Sequence, residues 1–287
     1  MRQNILERMG CLTFTCGKGD PDTIYSFRLN RLHTTLLLLT VGILIASSAW
    51  AAELAATPYR PTVSNPAYLS VPNYVEIEMG WQSLKAKSTD RYRHGVPYLL
   101  KYAFTERIGV LIGGEVVVIE DQTGQPTQAG FGDITPLVKL VHPLNTTMPS
   151  ALSLEGGIKF PSAPQTIGTD QTDYLLNGIY SVAFGPIGVD LNLLYTRLGG
   201  VSGDQGKNEV GWVTTVSYSL NARTSVAGEL FGSHREGVRP FLQYLSAVSY
   251  AITQRVVGDA GMAFGLTGAS QEWTLFTGLT ILTWSPF

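Results

Sequence analysis

From residue 73 onward the chain is built of short stretches in which apolar and polar side chains alternate, recurring at roughly 17 to 20 residues. IGVDLNLLYTRL, from Ile187 to Leu198, shows the pattern best. Ile187, Val189, Leu191, Leu193 and Tyr195 share one parity, and Gly188, Asp190, Asn192 and Thr196 share the other. A period of two belongs to a β-strand, whose successive side chains point to opposite faces. VEIEMGW sets Val75, Ile77, Met79 and Trp81 against Glu76 and Glu78, and ALSLEGGIKF sets Leu152, Leu154, Ile158 and Phe160 against Glu155 and Lys159. About twelve such candidates follow one another, each near the roughly 9–11 residues that a tilted strand needs to cross a bilayer.

The connections indicate which face is wet. Short ones (105–107, 184–186, 221–223, 252–254) alternate with longer polar ones (83–92, 120–130, 161–171, 198–209, 232–239). Tight turns on one side and long loops on the other characterise an outer-membrane barrel, and a soluble sandwich has no reason to show them. On the apolar parity Trp81, Phe160, Tyr174, Tyr195, Trp212 and Trp273 fall at the loop ends. Tyr102, Phe104, Tyr180, Tyr218, Tyr250 and Trp284 fall at the turn ends. Two aromatic belts are expected at two headgroup interfaces, whereas core aromatics would gather at strand centres. The expected fold is all-β: a transmembrane antiparallel barrel of about twelve strands over residues 73–287, with its oily face in lipid.

Upstream, LLLLTVGILIASSAWA follows Arg28 and Arg31 and ends in Ala49-Trp50-Ala51, the form of a secretory signal cut before Ala52. Residues 1–51 are therefore expected to be a leader, with an extension that fits a start site assigned too far upstream. Its removal takes both cysteines, Cys11 and Cys16, and with them any disulfide or thiolate metal site. Only 15% of residues are charged and the formal net charge is -2, which excludes a nucleic-acid binder. Residues 52–72 carry prolines and no strand period; they either hang in the periplasm or fold back as a plug.

The polar parity supplies the candidate site. Glu76, Glu78, Lys101, Glu115, Asp133, Lys139 and Glu155 are expected to line a pore, together with Lys159, Asp173, Asp190, Asn192, Glu229 and Asp259. Carboxylates outnumber lysines, so a conduit would favour cations or uncharged solutes. The competing reading is that these groups pair with one another and fill the interior. In either case the lysines need carboxylate partners, because an unpaired buried charge is costly. A lipid-modifying hydrolase would need a histidine beside a nucleophile at the outer rim. His94, His142 and His234 occur in HGV, HPL and HRE, none a His-x-Ser pattern, so no catalytic residue, metal or cofactor is expected.

GFGDITPLVKL, GGIKFPSAP, the VDLNLLYTRLG run and VAGELFG resemble the outer-membrane family named for the meta-pathway of phenol degradation. The resemblance covers most of residues 73–287. It implies a Gram-negative outer-membrane channel for passive uptake of small, often hydrophobic or aromatic, molecules. Its implied partners are outer-membrane lipid, the solute, and the assembly machinery that recognises a terminal aromatic such as Phe287. The alternatives are the hydrolase and a structural barrel without an open path.

Overall fold

The computed structural model describes residues 54–285 except 88, 145–146 and 201–205; the expected leader and Phe287 lie outside the described residues. Thirteen strands form one antiparallel sheet. They are β1 (Val75–Ala86), β2 (Arg91–Ala103), β3 (Ile108–Gln122), β4 (Gln128–Gly130), β5 (Thr135–Pro143), β6 (Ser150–Lys159) and β7 (Asp173–Phe184). The others are β8 (Ile187–Arg197), β9 (Asn208–Ser219), β10 (Thr224–Arg235), β11 (Phe241–Thr253), β12 (Val256–Gly265) and β13 (Gln271–Leu282). Apart from β4 and β5, which both pair with β3, strands adjacent in sequence pair with each other, and β1 pairs with both β2 and β13, so the sheet closes on itself. Closure leaves no row of unpaired backbone groups, which a sheet surrounded by hydrocarbon requires.

Twelve strands form the ring, because β4 and β5 are two parts of one staff. Both pair with β3, at Val118–Glu120 and at Ile108–Gly113 respectively. Between them the Gly132 amide donates to the Glu115 carbonyl at 2.9 Å and Ile134 bridges Phe160. Beside this break β3 carries an extra residue, since Gly95 faces Val118 whereas Pro97 faces Glu115. Such a bulge bends a strand and re-aims its side chains. Here it allows Val116 and Val117 to be exposed together while Glu115 and Val118 turn inward.

The strands run further than the polarity of their ends indicates. The connection expected at 83–92 shrinks to 87–90, and that at 232–239 to 236–240. Past the apolar stretch the ladder pairs backbone groups that water would otherwise satisfy. Only 160–172 and 198–207 remain long on the loop side.

The partition is inside out. Large apolar side chains cover the exterior, with Leu193 63% and Val216 50% exposed, whereas the fully buried side chains include Glu76, Glu78, Lys139, Glu155 and Glu229. A water-soluble monomer does not hide its charges and expose a continuous apolar band. The alternating parity of the sequence is thus oriented with its oily face outward.

Candidate functional site: a lumen crossed by the N-terminal segment

Residues 54–73 run inside the barrel. They enter at the turn end, where the Ala56 amide donates to the Gln254 carbonyl at 2.8 Å, and leave at the same end, where Asn73 donates to Ala103 at 2.8 Å. Between these points the wall satisfies the segment's backbone. Glu76 accepts the Thr57 amide at 2.8 Å, and Glu78 accepts those of Tyr59 and Arg60 at 2.7 and 3.0 Å. Glu229 accepts Val63 and Ser64 at 2.9 and 3.0 Å, the Asn192 side chain brackets Asn65, and Ser181 accepts Ala67 at 2.7 Å. Pro58, Pro61 and Pro66 have no amide hydrogen and so need no acceptor in this enclosed space.

The inward charges form a network around this segment. Lys101 reaches both Glu76 and Glu78 at 2.5 Å and donates to the Thr57 carbonyl at 2.6 Å. Lys139 pairs with Glu155 at 2.9 Å and donates to the Pro66 carbonyl. The Tyr59 ring lies between the two ammonium groups, 3.9 Å from Lys101 and 4.4 Å from Lys139. A ring face attracts a desolvated cation, so Tyr59 separates two like charges that would otherwise repel. Glu155 also receives Asn177, and Thr215 donates to Glu229 at 2.6 Å. Asp190 accepts from Ser181.

Arg60 lies against the inner wall where β1, β13 and β12 adjoin. Its Nε and Nη2 each donate to Asp259 at 3.1 Å, a fork on a carboxylate. The guanidinium lies flat over Gly80 and Gly278, where a Cβ would come within 2.7 and 2.4 Å of it. Two glycines on adjacent strands make the gap that the side chain fills.

Three further candidates lie at the loop end. Lys159 bridges Asp133 at 3.3 Å and Asp173 at 2.7 Å, while Asp133 accepts the Ala163 amide and Asp173 accepts that of Gly199, tying both long loops to the wall. Glu115 pairs with Arg93 at 2.5 Å and receives Gln82 at 3.1 Å. The histidines do not converge. His94 stacks on the outward ring of Trp81 at 6.3 Å, and His142 and His234 lie on β5 and β10.

Two cavities flank Arg60–Thr62. The inner one, at the turn end, is about 300 Å3 and is lined by Ser217, Ser219, Ser225 and Ser249 with Asp190 and Arg223. The outer one is about 310 Å3 and differs in its side chains: Phe231, Phe241 and Phe276 line it with Leu84 and Leu245, and Gln82, Gln243 and Gln271 add amides. Its apolar wall belongs to a cluster in which Val213, Phe231, Leu245 and Ala263 are buried. Phe231 and Phe241 are tilted by 50° with centroids 5.9 Å apart.

Comparison with solved structures places this arrangement. An outer-membrane channel from Pseudomonas putida F1 superposes with a TM-score of 0.60 at 14% identity, covering 81% of this chain and 98% of that one. The NanC porin superposes with a TM-score of 0.53 at 12% identity, covering 72% and 98%. The fold is that of an outer-membrane β-barrel. No known sequence family and no curated relative matches the chain.

Within this barrel, twelve of the thirteen polar residues singled out from the sequence lie on strands with inward parity, Asp133 lies in the break between β4 and β5, and each has a polar partner among those described above. Sequence reasoning missed Tyr59, Arg60 and the three phenylalanines. Parity held a usable signal for the latter, since Phe231 shares a face with Glu229, and Phe276 shares one with Gly278 and Thr280. For Tyr59 and Arg60 no periodic signal exists, because their segment has no regular structure.

Proposed function

We propose that the protein is an outer-membrane channel for passive entry of small apolar or aromatic molecules. The observation that carries this reading is the outer cavity, where three phenyl rings gather on the side facing the long loops. Ring-lined concave sites with a few amides suit small solutes with an apolar body. A barrel placed in lipid by its exterior, with an apolar chamber inside, offers such a solute a path past the polar surface layer.

A second reading has its own support. The segment spans the lumen, and Lys101 and Lys139 are both paired with carboxylates, as a filled structural barrel requires. Flux separates the two. Protein refolded into liposomes should pass toluene or phenol faster than empty vesicles do, and faster than it passes arabinose or choline. Folded protein that raises no flux at all would leave the structural barrel standing.

A further inference from the structure

The acidic excess of the lumen is not what a solute in the outer cavity meets. Glu76, Glu78 and Glu229 are occupied by lysine or by amides of the segment, and Glu155 by Lys139. Glu115, beside Gln82, is neutralised by Arg93. No carboxylate lines the outer cavity; its one charged lining group is the guanidinium of Arg60. That group has five N–H donors, and Asp259 takes one from Nε and one from Nη2. Among the described residues Nη1 has no hydrogen-bond partner, so a residue that lines the phenyl-bearing chamber keeps unused donors.

We propose that the outer cavity is a binding site for a monocyclic aromatic carboxylate, with its ring against Phe231, Phe241 and Phe276 and its carboxylate on the free side of Arg60. The site rests on the channel reading above and narrows its solute. A guanidinium can serve two carboxylates at once, because its donors point in fixed and different directions. Gln271 provides a further amide donor, and Gln82 and Gln243, whose Nε2 already donate to Glu115 and Gln271, keep one N–H each. The tilted Phe231–Phe241 pair has the geometry in which a third ring packs by edge or offset contact. A cavity of about 310 Å3 is at the lower end of small-molecule pockets, which suits one ring and its substituent. Arg60 also borders the inner cavity, where Arg223 and the serine hydroxyls offer the next donors for an anion.

Benzoate and nitrobenzene have nearly the same shape and differ in charge, so they isolate the role of Arg60. Binding of each to the folded full chain is measured by equilibrium dialysis at neutral pH. Benzoate should bind saturably at one site and about tenfold or more tighter than nitrobenzene, the value of a charge-assisted hydrogen bond. Arg60→Gln should remove that preference while leaving nitrobenzene binding in place. Phe231→Leu, on the wall and away from the Arg60–Asp259 pair, should weaken both ligands alike. Equal affinity for the two ligands in the unaltered protein, or a benzoate preference that survives Arg60→Gln, overturns the assignment. If neutral aromatics cross liposomes while benzoate does not bind, this inference fails and the channel reading stands; if neither occurs, both fail.

Discussion

Lys139→Met tests whether the lumen network holds the barrel together. The ammonium group is fully buried, 2.9 Å from Glu155 and 4.4 Å from the Tyr59 ring, and it donates to the Pro66 carbonyl. Methionine keeps much of the volume and removes the charge, leaving the buried Glu155 carboxylate without its counter-ion. Breaking a buried pair from one side costs about 3–5 kcal/mol. Glu155 retains Asn65 at 2.8 Å and Asn177 at 3.0 Å, which places the cost near the lower end, about 3 kcal/mol. With a urea dependence of about 3 kcal/mol/M, the unfolding midpoint of the barrel in lipid vesicles should fall by about 1 M. Tryptophan fluorescence and the gel mobility of the folded form report it. Lys139→Met with Glu155→Leu should recover part of the loss, because an apolar pair of similar volume is often as stable as the ion pair it replaces. The recovery stops about 1–2 kcal/mol short, since Asn65 and Asn177 lose an acceptor. An unchanged midpoint in the single variant, or a double variant worse than the single, would refute the reasoning.

Two more perturbations test the exterior and the segment. Leu193→Arg puts a charge on the most exposed outward leucine and should destabilise the barrel by about 2–4 kcal/mol in vesicles, while the same change in detergent should cost less. Equal effects in both media would argue against a lipid-facing position. Gly278→Ala places a Cβ 2.4 Å from the Arg60 Nε, which forces the guanidinium off Asp259. Single-channel conductance should rise as the segment loosens, and Gly156→Ala, whose Cβ meets only a leucine methyl at 3.9 Å, should leave it unchanged.

The legibility of the candidate site followed parity. Glu229, Asp190 and Asn192 were readable because a strand forces neighbours apart, and one oily neighbour on each side marks a polar residue as inward. The same rule, applied to Phe231 and Phe276, would have placed an aromatic patch inside. That patch was obscured because inward positions of a membrane barrel are expected to be polar, and two phenylalanines look like further lipid anchors. Arg60 was beyond reach. Its role depends on Gly80, Gly278 and Asp259, which come from three strands and meet only when the ring closes.

Sequence alone therefore determined the strands, their faces and the membrane-barrel class, since each rests on local alternation and on the lengths of connections. It also required that the inward lysines find carboxylates, because the cost of a bare buried charge does not depend on which partner supplies the relief. Tertiary structure decided the path of residues 54–72, the choice of partners and the existence of two chambers beside Arg60. Those depend on side chains from neighbouring strands meeting on the inner face of a closed ring, and on an irregular segment whose backbone has no partner of its own until the wall carboxylates accept its amides.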